Sequence, residues 1–174
     1  MKKYILLQFV LNFYLLLSSQ PSIKVDTVAQ INQIKSLYSQ FNKDSKKYIK
    51  KDFNITGEST EGGNLTIYYI SHDVKKMVVT FYGETGKSIT EFYVKNKTPF
   101  FVLKSQVIYV KPIYEKNMKI LSKDEERYYF FEKKMIKWKD NNGKLIVHNN
   151  GEFKRKEMDI LLEFDRFLNY FHTK

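Results

Sequence analysis

The sequence predicts an α+β fold, namely an antiparallel β-meander of about six or seven strands with an N-terminal and a C-terminal helix packed on one face. Three observations predict it: helical spacing of apolar residues near both ends, a two-residue period between Leu65 and His148, and connections short enough to require antiparallel neighbours. With 14 Phe, 13 Tyr and 43% hydrophobic residues, the 174-residue chain has too much apolar surface to stay disordered.

The N-terminus has the pattern of an export signal. Two lysines follow the initiator Met, Tyr4 to Leu17 is an uncharged and mostly apolar run, and Ser18 and Ser19 are small residues suited to cleavage. The run is shorter than the roughly 20 residues of a membrane-spanning helix. We therefore expect a signal peptide at 1–19 and a single α+β domain at 20–174. An uncleaved anchor or a buried helix is the alternative.

The first helix is predicted over residues 25–50, because apolar residues recur there at three- and four-residue spacing. Residues 52–63 are rich in Gly, Asn, Ser and Glu, which is typical of a loop. The strands that follow are predicted at 65–70, 76–82, 88–95, 100–110, 126–131, 135–139 and 145–148.

Helical spacing returns over residues 157–171. The apolar arc of this segment is broad, so we expect it to pack on the sheet beside the first helix. The opposite sheet face would then be partly exposed and available for binding.

The charge is strongly positive, with 30 Lys and Arg against 19 Asp and Glu and a sequence pI of about 9.5. Only Arg127, Arg155 and Arg166 are arginines, whereas arginine is the usual residue for reading bases and phosphates, so nucleic acid is an unlikely partner. One hypothesis is a basic polyanion-binding protein. The same lysine-rich composition also arises in AT-rich genomes.

Several kinds of chemistry are disfavoured. The chain has no cysteine, which excludes disulfides, thiolate metal sites and a cysteine nucleophile. His72, His148 and His172 lie on different predicted elements without metal-ligand spacing, and no glycine-rich phosphate loop is present. We therefore predict no metal site and no cofactor.

Glu91 and Glu126 are the candidate catalytic residues. They occupy matching positions at the starts of two similar hairpins, so they could approach each other as the carboxylate pair of a hydrolase acting on envelope glycans. The alternative interpretation is that each offsets a lysine across a strand or lies at the sheet rim.

The ordered motifs EGGNLTIYY at 61–69, YGETG at 82–86, EFY at 91–93 and EERYYF at 125–130 resemble a family of small exported bacterial proteins without an assigned function. This resemblance implies an envelope location and a shared fold, and it implies no catalytic residue.

The leading hypothesis is therefore a non-enzymatic binding module of the bacterial cell envelope, in the periplasm or outside the cell. Its partner would be an envelope protein or an anionic glycan. Tyrosine and tryptophan are common anchors of binding surfaces. The predicted anchors are Tyr68, Tyr93, Tyr109, Tyr128 and Trp138.

Overall fold

The computed structural model describes residues 27–117, 119–146, 148 and 151–173, so the predicted signal peptide lies outside the described residues. Helix α1 and a short 3-10 turn precede the strands, and helix α2 follows them. The bounds are α1 Thr27–Asp44, 3-10 turn Ser45–Lys47, β1 Ile49–Ile55, β2 Gly63–Ile70, β3 Asp73–Gly83, β4 Gly86–Lys95, β5 Thr98–Tyr109, β6 Ile120–Phe131, β7 Lys134–Lys139, β8 Leu145–Ile146 and α2 Gly151–Thr173.

The strands form one antiparallel sheet in sequence order, from β1 to β8. The predicted α+β meander is confirmed, with one strand more than expected. The extra strand is β1, which was predicted partly as helix and partly as loop. Only Phe53 and Ile55 are buried along it, and its other face is polar, so an edge strand of this kind gives a weak pattern.

The two helices lie on opposite faces of the sheet. Phe92 of β4 packs on Phe164 of α2 with ring centroids 5.7 Å apart, while the adjacent Tyr93 packs on Tyr38 of α1 at 4.9 Å. Successive residues of a strand point to opposite faces. The prediction that both helices pack on one face is therefore wrong. We refer below to the α1 face, which carries Tyr93, and the α2 face, which carries Phe92.

The central strands explain this arrangement, because they carry large apolar residues on both faces and each face needs a cover. The α1 face is covered by a cluster around Ile34, Phe41 and Tyr93. The α2 face holds the larger core, which includes Met77, Phe92 and Phe167. Burying side chains of this size contributes about 1.5 to 3 kcal/mol each.

Neither helix has the combination of length and apolar character that a membrane crossing requires, as far as the structure describes the chain. Helix α2 is the longer, with 23 residues, but charged side chains recur along its exposed side. Both helices instead use one apolar face to cover the sheet.

Candidate functional site

The predicted tyrosine and tryptophan surface does not form. Tyr93, Tyr109, Tyr128 and Trp138 are buried, with exposed fractions of 1%, 6%, 0% and 3%, and Tyr68 is half-buried. In addition, Tyr93 lies on the α1 face and Tyr128 on the α2 face. The prediction is wrong because a helix covers each face, so aromatic side chains of the central strands become core.

Two of these buried tyrosines, Tyr128 and Tyr93, instead form hydrogen bonds with glutamate carboxylates. Tyr128 stacks on Trp138 with ring centroids 5.7 Å apart and donates a hydrogen bond to Glu126 at 2.7 Å. Tyr93 donates a hydrogen bond to Glu91 at 2.9 Å. Burial, reinforced by the neighbouring carboxylates, raises the pKa of both tyrosines far above the ordinary range.

Glu91 and Glu126 lie on opposite faces of the sheet. Glu91 is opposite Leu103 in β5, and Leu103 is opposite Arg127 in β6, so Glu91 and Arg127 share a face. Glu126 is the neighbour of Arg127 along β6 and therefore points to the other face. The prediction that these carboxylates approach each other is wrong, because the sheet separates them and one substrate cannot contact both.

Glu91 instead forms an ion pair with Lys76 on the neighbouring strand. This geometry agrees with the alternative interpretation, in which the glutamate offsets a lysine across a strand. Among the described residues no group of three or more His, Asp or Glu side chains is arranged to hold a metal ion.

A cavity of about 320 Å³ lies on the α1 face, between α1 and strands β5 and β6. Ile34 and Leu103 supply aliphatic surface, and the rings of Tyr38, Phe101 and Tyr129 form an aromatic wall. The rings pack on one another, with centroids 5.2 Å apart for Tyr38 and Phe101 and 5.1 Å for Phe101 and Tyr129. Lys35, Glu125 and Arg127 complete the lining.

Two further lysines extend this site along β7. Lys137 is opposite Tyr129 and Lys139 is opposite Arg127 in the β6–β7 pairing, so both lie on the α1 face. The ammonium of Lys137 lies 5.5 Å from the centroid of the Tyr129 ring, which is within cation–π range. Burial lowers the pKa of Lys137, and the positive charges of Lys139 and Lys35 add to this effect. The positive charges of Lys35 and Lys139 therefore both act on the ammonium group of Lys137.

Glu125 does not neutralise these lysines. Its carboxylate is held by Lys123 at 2.7 Å and by Arg127 at 2.5 Å. The hydrogen bond and charge of Lys123, with a smaller effect of Arg127, lower the pKa of Glu125. Within the part of the chain that the structure describes, Lys35, Lys137 and Lys139 form no ion pair. The cavity is therefore aromatic inside and positively charged at its rim.

Sequence reasoning missed this site because its residues come from α1, β5, β6 and β7. One signal was available: Phe100 to Leu103 and Tyr128 to Phe131 are continuous apolar runs, which are typical of strands buried on both faces. Those runs would have placed a helix on each face. The convergence of Lys35 with Lys137 and Lys139 depends on the packing of α1, which no local pattern specifies.

No protein-family model matches the chain, and the searches of curated proteins and of solved structures found no match either. The resemblance to a family of exported bacterial proteins stays a prediction.

Proposed function

We propose that this protein is an exported, non-enzymatic binding module whose ligand is an anionic glycan of the bacterial cell envelope. The cavity on the α1 face would receive a terminal sugar. The acidic group of that sugar would lie beside Lys35, Lys137 and Lys139. The single observation that carries this proposal is the aromatic cavity with Lys35 in its lining and Lys137 and Lys139 beside it on β7, three lysines that form no ion pair among the described residues.

The lining matches the two parts of such a ligand. Aromatic rings offer flat apolar surfaces against which the C–H groups of a sugar ring can pack, and Tyr129 also has a hydroxyl for polar contacts. Ammonium groups attract carboxylate, phosphate or sulfate substituents as compact point charges. The volume of about 320 Å³ is at the lower end of small-molecule sites, which suits a short glycan segment.

Electrostatics favours an anion over a neutral ligand. Like charges held close together raise the free energy of the empty site, and an anion that neutralises them relieves this repulsion. The net charge, +11 for the full chain and +9 without Lys2 and Lys3 of the predicted signal, adds a long-range attraction that falls with salt.

The proposed location is the periplasm or the outside of the cell, and it rests on the basic start and apolar run of residues 1–19. Cleavage is tested by the N-terminal sequence of the protein recovered from the native host. We expect it to begin immediately after Ser18 or Ser19. An intact Met1 on the recovered protein would contradict export by a cleaved signal.

The ligand class is tested by calorimetric titration with oligogalacturonate, an anionic sugar chain, and with uncharged malto-oligosaccharide as the control. We expect oligogalacturonate to bind and its affinity to fall at least tenfold when NaCl rises from about 25 to about 300 mM, because exposed charges are screened. Equal affinity for both sugars, or no effect of salt, would contradict the proposal. Binding that does not change with salt would instead favour an envelope protein, bound through an uncharged interface, as the natural partner.

The site is tested by Lys35→Gln/Lys137→Gln, which removes two rim charges. A matched control is Lys43→Gln/Lys154→Gln, which removes the same charge from exposed positions of α1 and α2 outside the cavity. We expect the first pair to weaken oligogalacturonate binding about tenfold or more, and the control to change it about twofold or less, since only close charges act strongly. Equal losses would assign binding to net charge and not to this cavity.

A second variant tests the cavity without changing any charge. Leu103 lines the cavity and is half-buried, so the larger indole of Leu103→Trp is expected to fill the space that the sugar needs. Leu162→Trp, at an exposed position of α2, is the control. We expect only Leu103→Trp to abolish binding while both variants keep their thermal midpoint. Full affinity in a folded Leu103→Trp variant would place the ligand elsewhere.

A further inference from the structure

The connection between β5 and β6 exposes an unusual number of large apolar side chains. We call these residues the β5–β6 tip. The members are Ile108, Val110, Ile113, Tyr114, Ile120 and Leu121. Tyr114 is 73% exposed, Leu121 66% and Ile120 61%. Single exposed apolar residues are ordinary, but six within one hairpin indicate a surface that is covered in some functional state.

The tip projects beyond the neighbouring strand. Ile108 of β5 is opposite Gly86, the first residue of β4, so residues after Ile108 have no partner in β4. In the β5–β6 pairing Ile108 is opposite Ser122 and Tyr109 is opposite Ile120, which leaves Leu121 as the extra residue of a β-bulge. Bulges change the direction of side chains at the ends of strands. Here the bulge accompanies two consecutive exposed residues, Ile120 and Leu121.

The tip is held in place by hydrogen bonds. The Val110 N–H donates to the Lys119 carbonyl at 2.9 Å, and the Ile113 N–H donates to the Glu84 carbonyl at 2.8 Å. The Tyr114 hydroxyl donates to the Glu84 carboxylate at 2.7 Å. These contacts fasten the connection to the β3–β4 turn while its apolar side chains stay exposed. The surface is therefore formed before any partner arrives.

Lysines alternate with the apolar residues along this connection. Lys111, Lys116 and Lys119 lie between β5 and β6, where Glu115 is the one carboxylate in the sequence. Glu115 pairs with Lys111 at 3.2 Å, and in the described residues Lys116 and Lys119 form no ion pair. The combination of exposed Ile, Leu and Tyr with unpaired lysines is complementary to an anionic lipid surface.

We propose that the β5–β6 tip docks this protein on an anionic lipid membrane. Ile113, Ile120 and Leu121 would enter the boundary between headgroups and acyl chains, with the Tyr114 ring at headgroup level. Lys116 and Lys119 would lie near the lipid phosphates, where basic residues are attracted by the negative surface potential. This inference goes beyond the glycan site, which is formed by other residues, and either can fail without the other.

The test is cosedimentation with vesicles of phosphatidylcholine containing phosphatidylglycerol, and with phosphatidylcholine vesicles as the control. The chain from Pro21 onward is used, because the residues that form both described cores lie after Pro21 and the apolar run before Pro21 would bind lipid itself. We expect binding to the anionic vesicles, at least tenfold weaker binding to the neutral ones, and release by salt.

Matched variants locate the docking surface. Ile120→Ser/Leu121→Ser removes two exposed apolar side chains from the tip, and Met158→Ser/Leu162→Ser removes two of similar exposure from α2. We expect the tip variant to lose at least tenfold in vesicle binding and the α2 variant to lose about twofold or less. Lys116→Gln/Lys119→Gln is expected to weaken binding to anionic vesicles only. Similar losses in the tip and α2 variants would overturn the proposal.

A spectroscopic measurement covers the case in which a tip variant folds poorly. Trp138 is the single tryptophan and is buried, so a second indole introduced by Tyr114→Trp reports on the tip. We expect its emission to shift to the blue when anionic vesicles are added. An unchanged spectrum would overturn the proposal. Self-association that is lost in Ile120→Ser/Leu121→Ser, without vesicle binding, would also overturn it and assign the tip to contact between copies of this chain.

Discussion

Lys76 and Glu91 form an ion pair on the α1 face, underneath the first helix. The Lys76 ammonium also donates to the Tyr93 hydroxyl at 3.0 Å, and that hydroxyl donates to Glu91 at 2.9 Å. The same ammonium lies 5.9 Å from the centroid of the Phe41 ring in α1. The three polar groups satisfy one another where α1 meets the sheet, and this explains how a lysine and a glutamate are tolerated there.

Removing the carboxylate of this network while keeping the lysine is expected to destabilise the fold. Glu91→Leu leaves the ammonium of Lys76 with little solvent and without its carboxylate, since the Lys76 side chain is 14% exposed. We expect the free energy of unfolding to fall by about 2 kcal/mol, measured by urea denaturation with Trp138 fluorescence as the probe.

The control replaces both charges together. Lys76→Met/Glu91→Leu is expected to lie within about 1 kcal/mol of the original protein, because no unpaired charge remains at the interface. A double variant as unstable as Glu91→Leu would mean that the ion pair itself holds α1 on the sheet.

Stability is expected to fall steeply above pH 10. The pKa of Tyr93 and of Tyr128 is raised in the folded protein and returns to about 10.0 in the unfolded chain. Between these values the folded state binds more protons than the unfolded state, so the free energy of unfolding decreases with pH. Each buried tyrosine contributes a slope that grows through pH 10 toward a limit of about 1.4 kcal/mol per pH unit, and denaturation at pH 9, 10 and 11 would measure this growth.

Phenylalanine variants show which tyrosine causes this pH dependence. For each of Tyr93→Phe and Tyr128→Phe, the free energy of unfolding is measured above pH 10 and compared with that of the same variant at pH 8. We expect each variant to lose less stability over this range than the original protein, because one titrating hydroxyl is absent. An identical slope in both variants and the original protein would show that these hydroxyls are not protected in the folded state.

Gly86 is expected to tolerate no side chain. A Cβ at this first residue of β4 would overlap the backbone carbonyl oxygen of Val107 in β5, and a backbone atom cannot swing away. We expect Gly86→Ala to lower the free energy of unfolding by about 2 kcal/mol or more. Gly151→Ala is the matched control, because a Cβ there has no neighbour within 4 Å and α2 begins at this residue. Equal stability of the two variants would contradict the close strand approach at Gly86.

The fold class and most element positions were predictable, because they depend on local patterns. Strand β4 was expected at 88–95 and spans Gly86–Lys95, and β7 was expected at 135–139 and spans Lys134–Lys139. Helix α2 was expected at 157–171 and begins earlier, at Gly151. The first half of β6, from Ile120 to Glu125, was missed because its polar residues lack a clear alternation.

The candidate site was much less predictable. The aromatic residues chosen as a binding surface were core residues, since tyrosine in a strand has the same local pattern whether a helix covers it or not. Glu91 and Glu126 were predicted to approach each other because they stand at matching positions of two similar hairpins. The sheet register places them on opposite faces. The separation of the glutamates could not be read from spacing alone, and the only local signal for the buried tyrosines was the pair of continuous apolar runs in β5 and β6.

By itself, the sequence determined the meander, the two helices and the positive charge, because periodicity, turn residues and composition act over short stretches of chain. Only the tertiary structure decided which face each helix covers. That choice depends on packing between distant segments: Tyr38 and Phe41 of α1 against Tyr93, and Phe164 of α2 against Phe92. It buried the tyrosines and brought Lys35 to Lys137, and so created the cavity on which the proposed function rests, while the pairing of the strands separated the two glutamates.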